Sequence, residues 1–387
     1  MPRGDIPHMY DYRVHLARSI SEGTFSAEEG EIIQAYISEY MALKNVDPTT
    51  LKCKYSATCT LVGLFHDNKI TLDKVKTTHI LQVVSVINQS QRADNYRRNL
   101  VSLMKSFAGF LGPDIDMKKI QSVKLPKVEW KTKKPENMLS KEEVIQVLAA
   151  CGNSRDRCFM AMVYDGSCRV IELLRLNWSD LIHDSMGYYI DTKGKTGRQR
   201  KIRFTSAIPY IEQWQKDYPG KAEGGNPVFA IFQKPYGRLT RMGLTNRVLK
   251  IRDKTGIGKL IPSIMRSTRI THDVAAGQDV QYIMLKNWGN LKTSMLDKYT
   301  NLSGDYIDAK ALEYAGLKKV EQVQQADPMA PVQCSKCHTV NEPGNKHCRE
   351  CGKALTRDGE DELSMIRDVM TPEEWISFWQ WRKDHPD

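Results

Sequence analysis

The feature that most restricts what this chain can fold into lies near its C-terminus: Cys334-x2-Cys337-x10-Cys348-x2-Cys351, followed at once by Gly352. One Cys-x2-Cys knuckle can place two thiolates ~2.3 Å from a Zn²⁺, and two knuckles close a four-thiolate tetrahedron. Four protein ligands leave no open position, so the expected zinc is structural. A segment of roughly 25 residues has almost no core of its own, so the metal would supply its folding free energy. His338 and His347 stand in the same stretch as spare donors, either able to replace one thiolate. The expected module is a zinc ribbon over 330–357. Binding DNA, binding protein and capping the C-terminus stay open as its role. The other five cysteines (Cys53, Cys59, Cys151, Cys158, Cys168) are scattered. That pattern predicts buried thiols in a reducing compartment, not a disulfide framework.

The chain has 387 residues, enough for two or three domains. Its 41% hydrophobic and 27% charged residues are the mix of a globular protein, which excludes disorder over the whole length. No apolar run approaches the ~20 residues of a membrane helix. The first residues lack the apolar stretch of a secretory leader, so a cytoplasmic, DNA-associated location is expected. A net charge of +11 favours a polyanionic partner.

Residues 1–111 read as a small all-helical domain. Ser26 and Glu29 form a candidate capping box, and Ile32, Ile33, Tyr36, Ile37 and Tyr40 follow at helical spacing. Asp47-Pro48 stops that helix and restarts the next, which carries Leu51, Tyr55, Leu61, Val62 and Phe65. A third helix runs through Ile80, Val83, Val84 and Ile87, and a fourth from Asp94 through Phe107 and Phe110. Residues 112–134 read as a basic linker. From Lys118 to Lys134 it carries Lys118, Lys119, Lys124, Lys127, Lys131, Lys133 and Lys134 against one acid, as a solvated connector or a strap for phosphates.

A second domain over 135–320 starts with another capping box, Ser140 with Glu143, and helices at 140–151 and 154–165. A β-hairpin follows, with strands at Tyr188-Tyr189-Ile190 and Lys201-Ile202-Arg203-Phe204 around the turn Lys193-Gly194-Lys195-Thr196-Gly197-Arg198. Further helices fill 206–315. The last segment, 358–387, reads as an amphipathic tail helix with Trp375, Phe378, Trp379 and Trp381. It would dock on its own protein or on a neighbouring protomer. The fold class is mainly α with a small β-hairpin or sheet (α+β).

Four boxes in the second domain stand in a fixed order. They are Gly166-Ser167-Cys168-Arg169-Val170-Ile171-Glu172, the Lys195 hairpin, Met265-Arg266-Ser267-Thr268 with Thr271-His272, and Ser294-Met295-Leu296-Asp297-Lys298-Tyr299. In these boxes the chain resembles the tyrosine recombinases, the phage-type integrases, over roughly residues 15–315. The resemblance implies a helical core-binding (SAM-like) domain followed by the recombinase catalytic domain, clamped on double-stranded DNA. Arg169 and Arg266 would hold the scissile phosphate, with Glu172 orienting an arginine. Lys195 would be the general acid, and Tyr299 the nucleophile that forms a 3′-phosphotyrosyl link. Arg198 and Arg200, with the linker lysines, would contact DNA. Exchange between two attachment-type sites implies a homotetramer on DNA, with no catalytic metal and no nucleotide. The trailing ribbon and Met295 lean toward archaeal or archaeal-virus members. The sequence departs from the family at two positions. Ser263 stands where the family has a His before the second Arg. The later His or Trp falls on Gly289 or Asn290, with Trp288 adjacent.

The chemistry agrees with that residue set. Two Arg forks can donate bidentate hydrogen bonds to a phosphate and stay charged. A Tyr hydroxyl, with a reference pKa of about 10, attacks only when cations and a base favour the phenolate. A 5′-alkoxide leaves poorly until an ammonium protonates it. Lys193 and Lys201 compete with Lys195, and Tyr306 and Tyr314 with Tyr299. His272 reads as a packing residue, and Arg203 as a phosphate contact or part of a solvated face. Two alternative readings stand beside this one: an integrase-like DNA-binding accessory protein that does not cut, and a type IB topoisomerase, which shares the chemistry.

Overall fold

The computed structural model describes residues 12–44, 46, 48–127, 137–193, 199–299, 311–312, 314–316, 329–367, 371, 373–374 and 377–378. The chain divides into two compact units, Met1–Trp130 and Lys131–Asp387.

The first unit is helical: α1 (Tyr12–Ser21), α2 (Ala27–Leu43), α3 (Pro48–Asp67), α4 (Thr77–Gln89), α5 (Asp94–Leu111) and α6 (Met117–Ser122). The capping box at α2 forms as expected, Ser26 Oγ accepting from Glu29 N–H and Glu29 accepting from Ser26 N–H. Ile33, Leu61, Phe65, Ile80, Val83, Leu100 and Phe107 are fully buried between the helices. Each such side chain contributes about 1.5–3 kcal/mol by leaving water. Two helices go beyond the four read from the sequence. Tyr12 and Leu16 of α1 are buried, and Ile120 of α6 is 1% exposed in the same core. The basic stretch therefore begins as part of the helical unit, not as a linker from 112 on. Lys105 Nζ donates to Gln121 O and Arg98 to Pro126 O, which binds it to α5.

The second unit begins with α7 (Lys141–Ala150), again capped by Ser140 and Glu143, and α8 (Ser154–Asp165). α8 is the central helix, with every residue but Ser154 and Arg157 buried. After the short α9 (Val170–Leu174) comes an antiparallel sheet of three strands: β1 (Leu181–Asp184), β2 (Gly187–Lys193) and β3 (Gln199–Arg203). The hairpin pairs as expected, with Ile190 opposite Ile202 and Thr192 opposite Arg200; β1 adds an unforeseen third strand. Then follow α10 (Ile208–Lys216), α11 (Arg241–Thr255), α12 (Ile264–Ala275) and α13 (Val280–Trp288). Beyond these lie a two-stranded ribbon, β4 (Val332–Gln333) and β5 (Val340–Asn341), and a helix over Arg357–Arg367. The fold is mostly helical with small antiparallel sheets, as expected. Among the described residues no helix is long and apolar enough to cross a membrane.

Candidate active site

The site is built on the seam between α8 and the sheet. Asp165 ends α8 and accepts from Thr205 N (2.6 Å), Ala207 N (3.0 Å) and Thr205 Oγ1 (3.1 Å). Its carboxylate ties the end of β3 to the end of α8. The chain then turns sharply. A Cβ on Gly166 would stand 2.7 Å from Phe204 and 2.8 Å from Ile202, so only glycine lets the turn lie this close to the sheet. Ser167 follows with φ +46°, a left-handed conformation that costs a non-glycine residue free energy. It points the Ser167 carbonyl at Arg266 and places Arg169 at the N-cap of α9.

Three guanidinium groups face one carboxylate there. Glu172 Oε2 accepts from Arg169 N–H (2.7 Å), and Oε1 from Arg169 Nη1 (2.8 Å). Oε2 also accepts from Nη2 of Arg200. The Arg200 Nη1 donates to the carbonyls of Lys286 (3.0 Å) and Asn287 (2.6 Å), at the C-terminal end of α13. Arg266, in the first turn of α12, donates to Ser167 O and to the same Asn287 carbonyl (3.0 Å). Burial, reinforced by Arg200 and Arg169, pushes the Arg266 guanidinium down to about 10. Burial lowers Arg200 as well, against the pull of Glu172. This excess of positive charge is a site prepared for an anion.

Tyr299 closes a 3-10 turn over Leu296–Lys298 and is 8% exposed. It packs with Ile270, Val274, Ile283 and Leu296, and its ring centroid lies 6.1 Å from that of Trp288. Its phenol acts electrostatically on Arg266. Tyr314, the competing tyrosine, stands 96% exposed; Tyr306 lies outside the described residues. So two arginines and a buried tyrosine, 130 residues apart at the extremes, converge on one framework.

Residues 137–304 match the phage integrase family. That stretch carries a domain of this family, and over it the chain is similar to the tyrosine recombinases. Curated relatives include tyrosine recombinase XerD of Oceanobacillus iheyensis, 27% identical over 62% of this chain and 82% of that protein. Tyrosine recombinase XerA of Pyrococcus horikoshii is 25% identical over 56% of this chain and 73% of its own length. Among solved structures, XerH recombinase bound to a palindromic difH substrate aligns with a TM-score of 0.57 at 14% identity, over 81% of this chain and 91% of that one. The Tn1549 transposon integrase with circular-intermediate DNA aligns at 0.56 and 16% identity, over 72% and 98%. At such identities the structural likeness is one of fold.

The recombinase framework corrects one reading. Arg200, expected among the DNA contacts, is 5% exposed and faces Glu172 and α13. The sequence held a signal for this, because Arg200 stands two residues before Ile202 and shares its buried face. Arg203 pairs with Asp184 through both of its Nη atoms (2.8 and 2.6 Å) within the sheet, and Lys201 lies 3.8 Å over the Tyr189 ring. Lys195 and Arg198 lie outside the described residues, as do Lys131, Lys133 and Lys134. Lys118, Lys119, Lys124 and Lys127 are exposed on the first unit. Ser263 is exposed at the N-cap of α12 and its side chain caps nothing. Asn290 is engaged in its own turn, donating to Lys292 O (2.6 Å) and accepting from Lys292 N (3.0 Å). Of the three candidates for the last contact position, Trp288 is the one packed against Tyr299. Gly289 has φ +62°, and a Cβ there would meet Gln199 O at 2.9 Å. His272 is a packing residue: its Nε2–H donates to Leu139 O (3.0 Å) and its Nδ1 accepts from Tyr164 Oη (2.9 Å).

The four cysteine sulfurs lie within 4.8 Å of one another, with Cys334–Cys351 at 3.6 Å and Cys337–Cys348 at 3.5 Å. Sulfurs ~2.3 Å from a common centre form a tetrahedron with edges of about 3.8 Å, so the quartet fits a zinc ion. The Thr339 hydroxyl and N–H draw the Cys337 thiol down to about 6, while burial pushes Cys351 up to about 12. Trp375, Trp379 and Trp381 of the tail lie outside the described residues.

Proposed function

We propose that this chain is a site-specific recombinase that breaks and rejoins double-stranded DNA through Tyr299. The observation that carries the reading is the shared framework: Arg169 and Arg266 are both fixed to the Glu172–Arg200–Asn287 chain, and the buried Tyr299 packs against Trp288 at the end of the same α13. Arg169 and Arg266 hold the scissile phosphate and neutralise charge that grows on its oxygens. The Tyr299 hydroxyl loses its proton to solvent as it attacks, and the arginines offset the charge that the transition state gathers. The tyrosine oxygen attacks phosphorus, and the bond to the 5′-oxygen breaks. Lys195 gives that oxygen a proton. In the reverse step a 5′-hydroxyl attacks the phosphotyrosine and releases Tyr299. The phosphotyrosine keeps the energy of the broken bond, so ligation requires no nucleotide.

DNA as the partner is supported by the basic charge and by the DNA-bound structures similar in fold. Lys118, Lys119, Lys124 and Lys127, with the lysines up to Lys134, would follow the phosphate backbone. Exchange between two sites would assemble four protomers. A structural zinc at Cys334, Cys337, Cys348 and Cys351 would hold the ribbon.

The test uses a nicked suicide duplex carrying the site footprinted on DNA flanking the gene. The chain should be captured as a covalent adduct. Tyr299→Phe should bind the duplex equally and capture none, because only the hydroxyl is lost. An adduct with the Phe variant would remove Tyr299 from the role.

A further inference from the structure

We infer that Arg200 is a positioning residue for cleavage, holding both phosphate-binding arginines in register without touching DNA. The inference rests on the recombinase reading above. Arg200 is 5% exposed, and its Nε is buried with no hydrogen-bond partner among the described residues. A guanidinium taken out of water in this way is costly unless its remaining donors are well used. They are used on two separate parts of the site. Nη2 binds Glu172, whose other contacts both go to Arg169. Nη1 binds the last carbonyls of α13, where the helix dipole favours a cation. One of those carbonyls, Asn287 O, is also the anchor of Arg266. Arg200 is therefore the link between Glu172 with Arg169 and Asn287 with Arg266. It stands on β3, the strand that follows Lys195 in the sequence.

The chain contains a useful contrast. Arg155 is equally buried, bonded to Asp156 (2.9 and 2.6 Å) and to Ala230 O (2.9 Å), and none of those partners belongs to the site. Arg155 holds the fold together. Arg200 instead fixes the separation of two groups that must grip one phosphate. With Arg200 gone, the whole Glu172 carboxylate falls to Arg169 and draws its fork inward. A displacement of about 1 Å at such a group can cost roughly 10²-fold in rate.

The experiment compares the unaltered chain with Arg200→Met, Arg200→Lys, Glu172→Gln and the Arg200→Met/Glu172→Gln double variant. Each is assayed for capture on the suicide duplex and for binding to it. Arg200→Met should bind within about threefold and be captured roughly 10²-fold more slowly. Arg200→Lys, which keeps the charge but has one nitrogen in place of the two that bridge, should recover only part of that loss. The double variant leaves no lone buried carboxylate, and its loss should be much smaller than the product of the two single losses. A second duplex carries a methylphosphonate at the scissile position. It removes the charge that Arg169 neutralises, so the gap between Arg200→Met and the unaltered chain should narrow at least tenfold. A merely structural defect would persist unchanged on that duplex and would overturn the inference. Equal capture by Arg200→Met and the unaltered chain would overturn it alone. Absence of capture by the unaltered chain would overturn the recombinase reading with it.

Discussion

The cysteine ribbon and the arginine centre lie in the same unit and are assembled in opposite ways. The ribbon takes its four sulfurs from Cys334 to Cys351, within a short stretch that cannot avoid bringing them together. The arginine centre takes Arg169 from the cap of α9, Arg200 from a strand, Arg266 from α12 and Tyr299 from a 3-10 turn. Its hydrogen bonds span up to 99 residues of sequence. The ribbon gathers like charges that a cation would neutralise. The arginine centre keeps an excess of cations that a phosphate neutralises. One cluster would thus be completed by an ion that stays and the other by a substrate that leaves. The first should govern stability and the second rate, with little crossing between them.

The largest effect expected after loss of Tyr299 falls on the rate side. Lys195→Ala should slow capture by roughly 10²–10⁴-fold, as for a lost general acid. A duplex whose leaving 5′-oxygen is replaced by sulfur should restore the rate, because a thiolate departs without a proton. Failure of the sulfur duplex to rescue would shift the acid to Lys193 and move the centre along the hairpin.

That division also explains what the sequence could reveal. The gathering of the four cysteines is legible from spacing alone, and the capping boxes at Ser26 and Ser140 from three-residue offsets. Arg169, Arg266 and Tyr299 were legible only as boxes in a fixed order, since no local rule brings residues 169 and 299 together. Arg200 was misread because arginine on a hairpin is normally solvated, and its period-2 match to Ile202 was outweighed by its charge. Helix α6 was missed because the lysines around Ile120 hide a single buried residue. The strain at Ser167 and the α13 carbonyl anchor are tertiary features that no pattern in one segment encodes.

Removing the metal should test the independence of the two clusters. The ribbon rests on α10 through Arg349, which pairs with Glu212 and donates to Pro209 O (3.1 Å). Such a seam is worth about 1–2 kcal/mol. A chromophoric chelator should extract one zinc per chain. The second unit should then melt about 2–8 °C lower, and Cys337→Ser should do the same. Capture on the suicide duplex should change by less than about tenfold, or 1.4 kcal/mol. Collapse of capture on chelation, with DNA binding intact, would show that the ribbon sets the arginine centre.

The smallest effects should come from the two family departures, and their order is set by where each side chain is spent. Ser263 is exposed at the N-cap of α12 and makes no capping bond, so it contributes little to the placement of Arg266 three residues on. Ser263→Ala should cost less than about tenfold in capture, since at most one weak neutral hydrogen bond is lost. Asn290 closes the turn between α13 and Tyr299 with two bonds to Lys292. Losing them relaxes the segment that delivers the nucleophile, at about 1 kcal/mol per bond. Asn290→Ala should therefore slow capture more than Ser263→Ala, while leaving the melting temperature of the ribbon unchanged. Single-turnover capture by the two variants, read beside DNA binding, decides the order. A greater loss in Ser263→Ala would place its hydroxyl on the phosphate itself, making an exposed cap residue part of the cation-rich centre.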